Sequence, residues 1–184
     1  MGFFKKITLN LCLDIALFAS LLLYFNFASA QTKTSQDASK IETLQLEGKT
    51  LGGKDFQLSS LKGKVTLVMF WSTNCPVCRD QMPELRENIK GWADKPFELV
   101  LVSVDKNMKD VESYFNYLNQ IVPTKQRFTQ VWAGSANYKD NIEANRIALK
   151  QLPASYLIDK NGKVVLIYNG RIPAQAWDEI AELL

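Results

Sequence analysis

Two nearly continuous apolar stretches, Val65 to Trp71 and Phe97 to Val104, dominate the hydrophobic pattern of the chain. Runs of this kind are typical of strands that are covered on both faces in a parallel sheet. The segment between them carries apolar residues at helical spacing, namely Cys78, Met82, Leu85 and Ile89. This helix is expected to end at Lys90 and Gly91, a basic last turn followed by a glycine cap. The pattern therefore predicts a βαβ unit.

Shorter segments with strand character lie on both sides of this unit. Residues 41–48 and 55–64 predict a strand pair that turns at Gly52-Gly53, and residues 127–132 predict an additional edge strand. Near the C-terminus, Asn161-Gly162 separates two β-rich segments and is a strong signal for a hairpin with a type I′ turn. The expected fold class is therefore α/β, with a mixed sheet closed by two antiparallel strands.

Three further segments have the periodicity of amphipathic helices. Residues 109–120 repeat apolar side chains that are interpreted as core contacts: Val111, Tyr114, Phe115 and Leu118. Residues 138–146 predict another short helix. Residues 173–184 predict a final helix with proline near its start and one apolar face, formed by Trp177, Ile180, Ala181 and Leu184.

The composition limits the classes of function. The chain has 184 residues, with 22 basic and 19 acidic side chains and a net charge of +3. This length fits one ordinary domain after removal of a targeting segment. The charges are interspersed and form no basic stripe, which argues against nucleic-acid binding. Without a surplus thiol or an obvious exposed apolar helix, a monomer is expected.

Residues 1–30 have the form of a secretory signal peptide. Two lysines precede an apolar stretch, and Ala28-Ser29-Ala30 matches the A-x-A pattern of a cleavage site. Asp14 interrupts the apolar stretch, which favours cleavage over an uncleaved membrane anchor. Residues 31–40 are polar and predict a flexible linker, so the folded domain is expected at residues 41–184. Export would place the domain in a periplasmic or other extracytoplasmic compartment where disulfides persist.

Cys75 and Cys78 bracket Pro76 and Val77 at the predicted junction of strand and helix. Residues three apart share a helix face, so two sulfurs at this spacing can form and break a disulfide with little backbone movement. The first helical turn offers unpaired N–H groups and the positive end of the helix dipole, which favour a thiolate. Cys75 is therefore the predicted nucleophile, and Cys78, which heads the apolar stripe, is the predicted resolving thiol.

Other interpretations of the cysteine pair are a static disulfide, half of a zinc site, or two unrelated buried thiols. Zinc is disfavoured because the chain has no histidine and its only other cysteine is Cys12. A peroxidase of the same fold would carry proline and threonine where Val68 and Ser72 stand. A dithiol that handles Cu(I) is a further alternative, although the chain lacks a histidine ligand.

Residues 58–85 and 152–165, which include the C-x-x-C, Pro83 and Leu152-Pro153, resemble the thioredoxin fold. More narrowly, they resemble the exported TlpA/ResA/CcmG-type (DsbE-like) thiol-disulfide oxidoreductases over roughly residues 41–184. The resemblance implies a central mixed sheet flanked by helices, with an N-terminal strand pair and an insertion before the last hairpin. It also implies that Pro153 is a cis-proline beside the cysteines.

The resemblance further implies a reductase that exchanges its disulfide with partner proteins, such as apo-cytochrome c or other exported dithiols. Electrons would come from a membrane thiol carrier, and the cysteine pair would serve in place of a separate cofactor or metal. A disulfide oxidase or isomerase of the same fold is the alternative. The residues expected to contact substrate are Leu152, Pro153, Pro76 and Val77.

Three positions depart from the pattern of the family. Asn74 and Gln81 stand where tryptophan and glutamate are common, and Met69 stands where thioredoxin has a buried aspartate. Gln81 lies one helical turn after Cys78, within predicted hydrogen-bonding reach of the sulfurs, but it cannot carry a proton at neutral pH. It is therefore a candidate for tuning the thiol pKa without a charge.

Overall fold

A computed structural model describes residues 42–133 and 151–184, which form one seven-stranded mixed sheet with three flanking α-helices. The strand order is β2-β1-β5-β4-β3-β6-β7. The strands are β1 Glu47–Thr50, β2 Asp55–Gln57, β3 Val65–Trp71, β4 Phe97–Ser103, β5 Thr129–Trp132, β6 Ala154–Ile158 and β7 Val164–Asn169. The helices are α1 Pro76–Lys90, α2 Met108–Ile121 and α3 Ala176–Leu183, with short 3₁₀ turns at Leu58–Leu61 and Thr124–Gln126.

The predicted βαβ unit is confirmed as β3-α1-β4. Every residue of β3 is buried, and the strand pairs in parallel with β4 from Val65 opposite Phe97 to Trp71 opposite Ser103. Because the two strands run in parallel, their carboxyl ends meet at the same edge of the sheet. The turn between β3 and α1 therefore lies beside the segment that follows β4.

Alternate residues of β3 contribute to two apolar clusters, as expected for a strand covered on both faces. The cluster that includes Met69 and Trp71 also includes buried side chains of the helices, namely Cys78, Met82, Leu85, Val111, Trp177 and Ile180. The cluster that includes Val68 and Phe70 is completed by the segment from Leu44 to Leu58. Trp71 contacts Tyr114 and Phe115 of α2, with ring centroids 5.3 and 5.5 Å apart.

The structure corrects the prediction for β5. Residues 129–132 form a strand as expected, but β5 lies between β4 and β1 and not at the edge of the sheet. It pairs in parallel with β4 and antiparallel with β1, in which Lys49 lies opposite Trp132. The N-terminal strand pair thus extends the sheet beyond β5, so β2 is the edge strand on that side.

The C-terminal hairpin is confirmed, but its turn differs from the predicted type I′ turn. The Gly162 N–H donates to the Asp159 C=O, and the Asp159 N–H donates to the Lys163 C=O, which leaves a three-residue loop. The Asp159 side chain accepts from the N–H groups of Asn161 and Lys163, both at 2.9 Å. Gly162 has φ of 88°, the left-handed conformation required at the third position of such a loop.

The predicted boundaries of the three helices agree with the structure to different degrees. α2 is confirmed within one residue at each end, whereas α3 begins three residues later than expected and leaves Ala181 exposed. Gly91 caps α1 as predicted, but with right-handed φ and ψ of −70° and −9°. The helix at residues 138–146 and the targeting and linker segments at residues 1–40 lie outside the described residues. Among the residues that are described, no helix has the length and apolar character needed to cross a membrane.

Candidate active site

Cys75 and Cys78 form a disulfide at the N-terminus of α1, with their Cα atoms 5.3 Å apart. Cys75 is the N-cap and has an extended backbone, with φ of −95° and ψ of 103°. Its Sγ accepts a hydrogen bond from the Cys78 N–H at 3.1 Å, and Pro76 occupies the first helical position. A backbone donor therefore points at the Cys75 sulfur, where it would stabilise a thiolate.

The two cysteines differ in burial. Cys78 is fully buried in the cluster beneath α1, whereas Cys75 is only partly buried. Pro76 and Val77 between them are exposed, Val77 by 44%. The predicted order of reaction, in which a partner reaches Cys75 first and Cys78 acts from within, stays a prediction.

The Leu152–Pro153 peptide bond is cis, as the resemblance implied. Ala154, directly after the proline, pairs with Phe70 near the end of β3, so Pro153 lies at the same end of the sheet as the turn that leads to Cys75. Pro153 is buried, and its C=O accepts from the Gly170 N–H at 2.7 Å. Leu152 is partly buried. A role for either residue in substrate binding stays a prediction.

Gln81 is fully buried, and its amide forms two hydrogen bonds with the backbone of Ile172. Its Nε2 donates to the Ile172 C=O at 3.1 Å, and its Oε1 accepts from the Ile172 N–H at 3.2 Å. We call this contact the Gln81–Ile172 pair. The expected hydrogen bond to the cysteine sulfurs is therefore replaced by a link between α1 and the loop after β7.

One turn further along α1, Glu84 strengthens the same link. Its carboxylate accepts from Arg171 and, at 3.3 Å, from the indole N–H of Trp177. Together with the Gln81–Ile172 pair, these contacts fasten α1 to the segment between β7 and α3 and to the first turn of α3. Since Gly170 also binds Pro153, the same segment contacts both the cis-proline and the cysteine helix.

Asp105 is a buried carboxylate beside the turn that precedes Cys75, and the sequence reasoning missed it. It is 5% exposed and follows β4 by two residues. Its Oδ1 accepts from the hydroxyls of Ser72 and Thr73 at 2.8 and 2.7 Å, and its Oδ2 accepts from the Ser103 hydroxyl at 2.7 Å. The Thr73 N–H donates to both oxygens, at 3.1 and 3.0 Å. We call these four residues the Asp105 network.

The charge state of Asp105 follows from these contacts. Burial opposes its ionisation, but the hydrogen bonds from Thr73, Ser103 and Ser72 outweigh this effect and hold the pKa of the carboxyl below its usual range. Asp105 is therefore a carboxylate at neutral pH. A signal for it was present in the sequence, because a polar residue after an apolar parallel strand lies at the edge where the neighbouring strand also ends.

Comparisons with known proteins agree with the fold. The model of the AhpC/TSA family matches residues 38–167. The chain is 30% identical over 115 residues to the thiol-disulfide oxidoreductase ResA of Bacillus anthracis, covering 62% of this chain and 60% of that protein. It is 26% identical over 148 residues to ResA of Geobacillus thermodenitrificans, covering 80% and 77%. The chain thus spans about three fifths of the length of the Bacillus relative.

Solved structures give the same picture. The thioredoxin domain of a thiol-disulfide oxidoreductase from Bacteroides vulgatus superposes with a TM-score of 0.65 and 25% identity, covering 78% of this chain and 95% of that one. A thiol:disulfide interchange protein from Chlorobium tepidum gives a TM-score of 0.63 and 26% identity, covering 79% and 97%. The chain therefore has a thioredoxin fold of the TlpA/ResA/CcmG-like kind.

Proposed function

Since the chain belongs to the AhpC/TSA family, we propose that it is an extracytoplasmic thiol-disulfide oxidoreductase that reduces disulfides in partner proteins. The observation that carries the proposal is the Cys75–Cys78 disulfide at the start of α1, with Cys75 partly exposed and Cys78 fully buried. Stepwise exchange starts at an accessible sulfur, and this asymmetry gives the partner access to Cys75 first.

The reaction starts from the reduced protein. The Cys75 thiolate attacks one sulfur of a partner disulfide, an S–S bond to Cys75 forms, and the other partner sulfur leaves as a thiolate. Cys78, after loss of its proton, attacks the Cys75 sulfur and releases the second partner thiolate. Two electrons have then passed to the partner, and the Cys75–Cys78 disulfide remains.

Two features of the α1 N-terminus favour this first step. The Cys78 N–H donates to the Cys75 sulfur, and the positive end of the α1 dipole lies at the same place. Both interactions stabilise a thiolate more than a thiol. Pro153, Leu152, Pro76 and Val77 are proposed to bind an extended segment of the partner.

The partners proposed from the family resemblance are apo-cytochrome c or other exported dithiol proteins. A membrane thiol carrier would return the pair to the reduced state. The predicted signal peptide supports this extracytoplasmic setting, and the names of the ResA relatives support thiol-disulfide exchange.

A single-turnover experiment with the reduced full chain and insulin, a disulfide-bonded model protein, tests the proposal. We expect rapid thiol release with the native protein, none with Cys75→Ser, and an accumulated mixed disulfide with Cys78→Ser, identified by mass spectrometry after acid quenching. Cys12→Ser serves as the matched control and should leave the rate unchanged. Equal thiol release by the native protein and by Cys75→Ser would rule out the proposed nucleophile.

A further inference from the structure

The Asp105 network is connected directly to the backbone of Cys75. Ser72, which donates to Asp105, accepts the Cys75 N–H on its C=O at 3.0 Å and the Asn74 N–H on its Oγ at 3.2 Å. Thr73 is held by both its N–H and its hydroxyl. The carboxylate therefore fixes two of the three residues between β3 and Cys75, and the remaining one is held by Ser72.

The partners of the Asp105 carboxylate are neutral donors. Within the described ranges, the four ion pairs involve Asp55, Glu98, Glu87 and Glu84 as the acids. The negative charge of Asp105 is thus stabilised by hydroxyls and an N–H, and it lies against Thr73, two residues before the N-cap of α1. A negative charge close to a thiol raises the thiol pKa, because it disfavours a second negative charge.

We propose that Asp105 is a positioning residue for the Cys75–Cys78 pair, which fixes the turn at residues 72–74 and thereby favours the disulfide over the dithiol. This inference deepens the proposed function, since it concerns the same two sulfurs. Asp105 acts through the turn and through its charge, and it forms no bond to the reacting atoms.

Both effects point in the same direction. A rigid turn keeps the two sulfurs close together and lowers the entropy cost of closing the disulfide. The charge of Asp105 disfavours a Cys75 thiolate and so disfavours the reduced state. Removal of the carboxylate should therefore make the disulfide easier to reduce.

The test compares thiol–disulfide equilibrium constants of purified variants in glutathione buffers, with free thiols trapped and counted. We expect Asp105→Ala to shift the equilibrium about tenfold toward the dithiol, which corresponds to about 30 mV for a two-electron couple. Asp105→Asn keeps one acceptor oxygen but loses the charge, so its shift should be smaller and of the same sign. Glu98→Gln is the matched control, because Glu98 lies near the opposite end of β4 and binds Thr129 and Lys64. It should leave the equilibrium unchanged.

Thr73→Val covers the case in which Asp105→Ala does not fold. It retains the side-chain shape but removes one hydroxyl donor from the Asp105 network, and we expect a shift of about threefold in the same direction. A merely structural role would lower the melting temperature of these variants without moving the equilibrium. Folded variants that all stay within twofold of the native constant would overturn the proposal.

The result of this equilibrium measurement does not depend on the proposed function. The equilibrium constant belongs to the protein's own disulfide and is measurable even if the chain reduces no partner. Failure of the native protein to exchange with insulin would remove the proposed activity, whereas unchanged equilibria in the Asp105 variants would remove only the role of Asp105.

Discussion

Two buried polar contacts lie on either side of the cysteine pair, and they differ in charge. The Asp105 network holds the turn before Cys75 with a carboxylate that accepts from several donors. The Gln81–Ile172 pair holds α1 after Cys78 with one amide that matches one N–H and one C=O. A carboxylate suits a site made only of donors, and an amide suits a site that offers one donor and one acceptor. Each side chain is therefore specified by the polarity of its partners.

The largest effect on stability is expected from the loss of the Asp105 carboxylate, which accepts hydrogen bonds from the turn before Cys75. Asp105→Ala would leave the hydroxyls of Ser72, Thr73 and Ser103 and the Thr73 N–H without their acceptor in a buried site. Because each unsatisfied buried donor is costly, the free energy of unfolding should fall by about 3 kcal/mol. Urea denaturation of the oxidised protein measures this loss. Glu98→Gln, near the opposite end of β4, should cost less than half as much.

The next largest effect on stability is expected when a charge is introduced into the Gln81–Ile172 pair. Gln81→Glu would place a carboxylate oxygen against the Ile172 C=O, at a side chain that is fully buried. The new carboxyl should have a raised pKa. Burial disfavours its charged form, and so does the Ile172 C=O, which would face a carboxylate oxygen in place of the amide donor. We expect a loss of about 2 kcal/mol at neutral pH that shrinks as the pH falls and the carboxyl is protonated. Gln57→Glu, at an exposed position of β2, is the control for denaturation at both pH values.

The same substitution should also affect the cysteines. A negative charge one helical turn from Cys78 is expected to raise the pKa of the pair, measured by thiolate absorbance during a pH titration. An unchanged titration curve would show that position 81 acts on the Ile172 backbone alone.

The third effect is a change of stability at low pH, and it is specific to the Asp105 network. Because the pKa of Asp105 is lower in the folded protein, its carboxylate contributes stability above the ordinary pKa of aspartate, and this contribution is lost as the pH falls through the folded-state value. The stability difference between the native protein and Asp105→Asn should therefore be largest near neutral pH and shrink in strong acid. Denaturation curves from pH 7 to pH 2 measure this; a constant difference would contradict the assigned charge.

The smallest effect on stability is expected from the Arg171–Glu84 ion pair, which lies at the surface near the Gln81–Ile172 pair. The Arg171 and Glu84 side chains are 50% and 29% exposed, so solvent screens their ion pair. Arg171→Ala should cost less than about 1 kcal/mol, and high salt should weaken even this difference. A loss as large as that of Gln81→Glu would mean that the loop after β7 is held mainly by this ion pair.

The sequence was sufficient to predict elements whose hydrophobic pattern lies within one continuous segment. The β3-α1-β4 unit and the placement of Cys75 and Cys78 follow from apolar runs and helical spacing within one segment. The cis bond before Pro153 followed only from the family resemblance, because X-Pro sequences are mostly trans.

The sequence was insufficient where residues far apart in the chain combine. Gln81 binds Ile172, which lies 91 positions away, and Asp105 binds Thr73 at a separation of 32. β5 is interior because a strand some 80 residues earlier pairs with it. The hairpin turn has three residues because the Asp159 side chain binds the N–H groups of Asn161, in the loop, and of Lys163, directly after it, which a two-residue Asn-Gly signal does not include.

The midpoint potential of the Cys75–Cys78 couple tests the redox role most directly. The full chain would be equilibrated in dithiothreitol and glutathione buffers, and free thiols would be trapped and counted. A reversible two-electron transition below about −230 mV is expected for a reductase, whereas a value above about −150 mV would indicate an oxidase or isomerase. A pair that stays oxidised in every buffer would contradict the redox role and leave a structural disulfide.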